Sequence, residues 1–360
     1  MMATMGATSV FAEANAASVA PTAPIDNKVA IEKVITGTGY GSETVKLEVE
    51  NSGKAVAVYH TALTTDGAPT ISIPDAEKDG ITINEPTAPA TTAEDTLHIQ
   101  LKDYSRVGTY VYKFKEVAGK TAGMTYDTKT KWLVVNAYNE LNEDDTIKGD
   151  SLLVNAVVLN EDPTSALSND GNLSSMSEKK IDKIDNEYNA GTYTVKKLVK
   201  GNMSDRQKAF NFKVTFENTT TDKTTIPTMK VDGKAFGTEG IETLTWTNNK
   251  ATYEFTLKHN QTAEFTNVPY GMKVSVVELD DNKEALTSTT NGEYTVSYEN
   301  NTETEIGKEH PTVNAVITNT STVNVNTGVI LDNAPYIALL TIVAAGAVVM
   351  IMKKRRNYED

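Results

Sequence analysis

Apolar and polar residues alternate along short runs of this chain, and that period of two constrains its fold more than any other feature. Val29-Ala30-Ile31-Glu32-Lys33, Tyr110-Val111-Tyr112-Lys113-Phe114 and Val274-Ser275-Val276-Val277 are examples. Successive side chains of a strand point to opposite faces, so each run predicts a strand with one face buried. Gly, Asn, Asp and Pro separate the runs and supply turns. No long segment of helical period occurs in the body of the chain. A polar stretch rich in Ser, Asn and Asp, roughly residues 160–178, reads as an exposed loop.

The pattern repeats. Ile31-Glu32-Lys33-Val34-Ile35-Thr36-Gly37 parallels Val195-Lys196-Lys197-Leu198-Val199-Lys200-Gly201, each reading apolar-x-Lys-apolar-apolar-x-Gly. Gly108 leads a run ending in Glu116, and Gly271 leads one ending in Glu278. Ile184-Asp185-Asn186 parallels Ile317-Thr318-Asn319. The order Lys, Glu, Asn therefore occurs twice. We expect an all-β chain of two tandem Ig-like β-sandwich domains, 24–189 and 190–322, consistent with its 360 residues.

Strand period places these three residue types on apolar faces. Val29, Ile31, Lys33 and Ile35 share a face, as do Tyr193, Val195, Lys197 and Val199. Glu116 continues the face of Tyr110, Tyr112 and Phe114, and Glu278 that of Met272, Val274 and Val276. Asn319 follows Val313, Ala315 and Ile317, and Asn186 follows Ile184, with Asp182 breaking the pattern one step earlier. Buried Lys, Glu and Asn are each costly. One explanation is a buried ion pair with a hydrogen-bonding Asn, which is a weak stabiliser. The other is an intramolecular isopeptide bond. Burial lowers a lysine pKa and raises a glutamate pKa, leaving an amine nucleophile beside a protonated acid. The glutamate polarises the carboxamide and shuttles protons, ammonia leaves, and an amide joins the first and last strands. The chain has no cysteine, so no disulfide does this work.

The two ends carry different signals. Residues 1–23 are mostly small or apolar, with Val10-Phe11-Ala12 and Ala14-Asn15-Ala16 as small-residue cleavage sites, and resemble a secretory leader without its basic region. Residues 334–352, APYIALLTIVAAGAVVMIM, are long enough to cross a bilayer as a helix in the precursor. Lys353, Lys354, Arg355 and Arg356 follow in the 353–360 tail and keep it cytoplasmic, so the body lies outside. Taken alone this is a plain C-terminal anchor. Asn324-Val325-Asn326-Thr327-Gly328 just upstream adds a Thr-Gly pair. Pair, span and basic tail, over 323–360, resemble the cell-wall sorting signal of Gram-positive surface proteins. The usual Leu and Pro are missing, while Val325 matches the looser signals of pilin-type sortases. The resemblance implies cleavage between Thr327 and Gly328, with Thr327 as acyl donor.

Thr194-Val195-Lys196-Lys197 with Gly201, Gly108-Thr109-Tyr110-Val111-Tyr112 leading to Glu116, Thr125-Tyr126-Asp127-Thr128, and Ala334-Pro335-Tyr336-Ile337-Ala338-Leu339 carry a second likeness. The chain resembles the two-domain major pilins of the streptococcal isopeptide-linkage family, most tightly over 179–212 and from 319 onward. The resemblance implies a Lys33–Asn186 bond with Glu116 as catalytic acid, and a Lys197–Asn319 bond with Glu278. Lys28 is the alternative to Lys33 but lies on the opposite face. It also implies an inter-subunit lysine at Lys179, with Lys180 and Lys183 as competitors, joined by sortase to Thr327 of the next copy. The expected partners are sortase, further copies in a fibre, minor pilins and peptidoglycan at the cell surface, with the membrane a partner only of the precursor. A wall-anchored monomeric adhesin with the same domains is the alternative.

Other classes are disfavoured. The net charge of −14 is unsuited to nucleic acid. His60, His98, His259 and His310 are scattered without metal-ligand spacing, and no phosphate loop or nucleophile elbow occurs. No metal and no cofactor is expected, and the only catalysis is a single turnover on the chain itself.

Overall fold

The computed structural model describes residues 26–60, 64–171, 173–286, 289–300 and 304–323. The leader, Thr327, Gly328, the 334–352 span and the basic tail lie outside the described residues. Among the described residues no helix is long and apolar enough to cross a membrane.

The chain is all-β with short helical turns, as the period of two predicts. In the first domain, strand Lys28–Thr36 lies between antiparallel Thr92–Gln100 and parallel Lys183–Tyr188, in a four-stranded sheet. A seven-stranded sheet, built around Gly108–Val117 and Lys131–Leu141, packs against it. Ile31, Ile35 and Ile99 from one sheet meet Tyr110, Tyr112 and Leu133 from the other in a single buried cluster. The second domain repeats the connection. Strand Ala190–Lys200 lies between antiparallel Thr262–Pro269 and parallel Thr312–Ser321. The facing sheet holds Lys250–Leu257, Phe210–Asn218, Met272–Leu279 and Thr304–Ile306. Tyr193, Val195 and Ile317 pack there against Phe212 and Phe216. In both domains the first strand thus runs beside and parallel to the last.

The repeated glycine has a steric reason. Gly37 and Gly201 have φ of 115° and 106°, in the left-handed region. A Cβ at Gly37 would lie 2.3 Å from the Tyr188 carbonyl oxygen, and one at Gly201 would lie 3.0 Å from Ser321 Cβ. Each glycine lets the lysine strand turn away against the end of the last strand.

The 160–178 stretch departs from the loop reading. It holds a helix, Thr164–Asp170, ended by left-handed Gly171, and a 3-10 turn, Ser174–Lys179. Leu167 and Leu173 are buried against Val111, Val134 and Leu159, on the outer face of the larger sheet. Two leucines six residues apart in a polar run give neither a helical nor a strand period, so the sequence concealed this cover. Asp182 falls between Lys180–Ile181 and Lys183–Tyr188, so its mismatch lies outside the strand that carries Asn186.

The domains meet through direct hydrogen bonds. Ala122 N–H donates to Thr225 O at 2.8 Å, and Thr225 N–H to Lys120 O at 2.9 Å. Tyr188 OH donates to Asn267 Oδ1 at 3.0 Å, and Asn267 Nδ2 donates to Gly39 O at 2.7 Å.

Candidate functional site

All six residues of the two predicted triads are buried: Lys33, Glu116 and Asn186 in the first domain, Lys197, Glu278 and Asn319 in the second. The backbone register explains how each pair meets. Lys33 pairs with Ile184 and Ile35 with Asn186, so the asparagine lies one same-face step beyond the lysine. Lys197 pairs with Ile317 and Val199 with Asn319, with the same offset. A lysine side chain is long enough to span that diagonal. Each glutamate enters from a central strand of the facing sheet, Gly108–Val117 or Met272–Leu279.

In the second domain Lys197 Nζ donates to Glu278 Oε2 at 2.9 Å and also to Asn319 Oδ1. Asn319 Nδ2 donates to Glu278 Oε1 at 2.7 Å. The lysine nitrogen also lies 4.2 Å from the Phe210 ring centroid. In the first domain Lys33 Nζ is 2.9 Å from Glu116 Oε2. That contact has ion-pair distance without hydrogen-bond alignment, and neither atom has another hydrogen-bond partner. Asn186 Nδ2 donates to Glu116 Oε1 at 2.5 Å. The backbone N–H of Asp127 donates to Asn186 Oδ1 at 3.0 Å.

Burial sets the protonation states. Desolvation holds Lys33 below its ordinary pKa, against the opposing pull of Glu116. It pushes Glu116 up, against Lys33 and the Asn186 amide. Both shifts favour amine and carboxylic acid over ammonium and carboxylate. Desolvation lowers Lys197 to about 8, with Glu278 opposing.

This arrangement suits attack by the amine on the Asn side-chain carbon. One glutamate oxygen faces the nucleophile and the other faces the amide nitrogen that leaves. The carboxyl can take a proton from Nζ through Oε2 and give one to Nδ2 through Oε1. The glutamate faces Nζ and Nδ2, while the carboxamide oxygen accepts from Asp127 N–H in the first domain and from Lys197 Nζ in the second.

Sequence reasoning missed two contacts. Asn291 Nδ2 donates to Glu278 Oε1 at 2.7 Å, from a two-residue strand too short to show a period. The Asp127 contact is made by backbone and leaves no mark on residue type. Lys28 is exposed at the start of its strand, outside the cluster. Lys179 is half-buried at the end of the 3-10 turn, where Glu161 Oε1 accepts from its Nζ at 2.6 Å and raises its pKa. Lys183 Nζ lies 3.5 Å from Asp185 Oδ1, and Lys180 opens the short strand Lys180–Ile181. Among the described residues no cluster of three or more His, Cys, Asp or Glu could hold a metal ion.

Comparison with known proteins follows this division. Residues 29–189 match the family model described as Spy0128-like isopeptide containing domain. Residues 191–321 match a model described as a domain of unknown function, DUF7601. A curated protein of Streptococcus pyogenes serotype M1 named Pilin is 32% identical over 174 residues, covering 47% of this chain. The match spans 50% of that relative's own length. Among solved structures, the major pilin protein T3.2 of Streptococcus pyogenes aligns with TM-score 0.40 and 18% identity, over 82% of this chain and 98% of that one. The T-13 major pilin of the same species aligns with TM-score 0.41 and 15% identity, over 82% and 100%.

Proposed function

We propose, proceeding from a first domain that matches the Spy0128-like isopeptide family, that this chain is a backbone subunit of a covalently polymerised surface pilus. Its body is two tandem Ig-like sandwiches, each sealed by one self-made bond, Lys33–Asn186 and Lys197–Asn319. Its precursor is exported, held by the 334–352 span, and cut by sortase between Thr327 and Gly328. Thr327 is then joined to Lys179 of the next copy. The fibre ends at the cell wall, where minor pilins and peptidoglycan are the further partners. The chain turns over no substrate other than itself.

One observation carries this reading: each domain aligns a buried lysine and asparagine across its first and last strands, with a glutamate bridging both nitrogens. The Lys197–Asn319 bond gives tension a short covalent route. Force entering at Lys179 runs along the backbone to Lys197, crosses to Asn319, and leaves through Thr327. Most of the second domain, and all of the first domain before Lys179, lie outside that route.

The test is expression in a sortase-bearing Gram-positive host. The full chain gives a high-mass ladder on the wall, and Thr327→Ala and Lys179→Ala each abolish it. A ladder that survives Lys179→Ala but not Lys180→Ala or Lys183→Ala moves the linkage to a neighbour. A wall-bound monomer with no ladder makes the chain an anchored adhesin.

A further inference from the structure

In the first domain the glutamate occupies the nitrogen side of the reacting carboxamide, so Asn186 Oδ1 needs another donor as it gains negative charge. We propose that the backbone N–H of Asp127 is that donor, and that Lys131 is a positioning residue which makes the donor usable. The inference rests on the isopeptide reading of the Lys33–Glu116–Asn186 cluster.

Three observations support it. Asp127 N–H already reaches Asn186 Oδ1, at 3.0 Å. A fixed backbone donor aimed at a developing oxyanion needs no reorganisation during reaction. The segment bearing it is pinned on both sides. Tyr126 OH donates to Glu43 Oε1 at 3.0 Å and accepts from Thr121 N–H at 3.1 Å. Asp127 Oδ1 accepts from Lys129 N–H at 3.2 Å, and Oδ2 from Lys131 Nζ at 2.8 Å. Lys131 is itself buried, with 3% exposure. Its charge has a clear purpose, because an unneutralised Asp127 carboxylate beside a forming oxyanion would repel it.

The step balances. Neutral Lys33 Nζ attacks Asn186 Cγ, and the C=O π electrons move onto Oδ1, whose negative charge is stabilised by the hydrogen bond that Asp127 N–H donates. Nζ passes one proton to Glu116, and Glu116 passes one to Nδ2. The Cγ–Nδ2 bond breaks, ammonia leaves, the carbonyl reforms, and Glu116 ends as it began. In the second domain Asn319 Oδ1 instead faces Lys197 itself. The two bonds therefore depend on different neighbours, and one serves as internal control for the other.

The experiment follows both bonds in newly synthesised chain spanning residues 24–327, by intact mass and mapping of the cross-linked peptides. Lys131→Met slows Lys33–Asn186 formation at least tenfold, a smaller effect than the roughly 10²–10³-fold cost of deleting an oxyanion donor outright, because the Asp127 N–H remains. Lys131→Arg restores most of the rate, and Asp127→Pro, lacking the N–H, is slow. The Lys197–Asn319 bond forms at the parent rate throughout. First-domain closure at the parent rate in Lys131→Met or in Asp127→Pro overturns the inference. So does a Lys131→Arg chain as slow as Lys131→Met, which would make the pair merely structural. If Asp127→Pro fails to fold its domain, the Lys131 pair of variants decides alone. A parent chain with no Lys33–Asn186 bond defeats the isopeptide reading itself, and the inference with it.

Discussion

Asn319 lies on the strand parallel to that of Lys197, two residues beyond Ile317, the lysine's own pairing partner. Lys33 and Asn186 repeat this offset around Ile184. Offset, strand polarity and facing glutamate are the same in two domains whose loops and flanking strands differ, so the cluster is the shared feature of the design.

Each glutamate should govern one bond only. Glu116→Ala is expected to restore the mass of one ammonia and leave Lys33 and Asn186 free, with the second bond intact. Glu278→Ala should do the reverse. The lost cross-link closes a loop of 122 residues in the second domain. By the loop-entropy model its removal costs about 4–5 kcal/mol. Calorimetry and trypsin digestion check this, and a Glu278→Ala chain that melts and digests like the parent contradicts it.

Much of this cluster was legible because period two is a strict rule. Lys33, Glu116, Lys197 and Asn319 each continue an apolar face, and a charge or amide on such a face announces itself. The repeated Lys-x-x-x-Gly spacing was equally visible, and left-handed Gly37 and Gly201 supply its cause. The cover at Leu167 and Leu173 was not legible, because the helix holding Leu167 has seven residues, too few to show a period, and Leu173 lies beyond it. Asn291 was hidden for the same reason. The Asp127 donor is backbone, and backbone contacts depend on where a loop passes rather than on which residue it holds.

Mechanical load should distinguish the two bonds. Pulled between Lys179 and Thr327 linkages, a Glu278→Ala subunit loses its short route and unravels its 122-residue loop. The added length is roughly 40 nm, at about 3.5 Å per residue. Glu116→Ala should add no such step from the second domain. Force spectroscopy on linked subunits reads both.

The buried lysine should also leave a pH signature when its bond is blocked. In Asn319→Ala, Lys197 stays unlinked, and the burial that lowers its folded pKa to about 8 in the parent still holds it below an unfolded 10.5. Between those values the unfolded chain binds the extra proton, so stability rises with pH, by up to about 1 kcal/mol per unit. Denaturant melts from pH 8 to 9.5 should show the rise, and adding Lys197→Met should flatten it.

The domain junction rests on Asn267, whose side chain accepts from Tyr188 and donates to Gly39 and Thr228. Asn267→Ala removes all three bonds, which join partly buried and exposed groups, at a cost of about 0.5–1.5 kcal/mol for each. The expected result is faster proteolysis near 189–191 with both isopeptide bonds intact. Unchanged cleavage would mean that the backbone bonds of Ala122 and Thr225 hold the junction alone.

The central claim is that both clusters close into covalent bonds, and the intact mass of a soluble chain spanning residues 24–327 tests it most directly. The account predicts a mass below the calculated value by two ammonia molecules, with peptide mapping locating the links at Lys33–Asn186 and Lys197–Asn319. A mass equal to the calculated value would contradict it and leave two buried ion pairs, each with an idle asparagine.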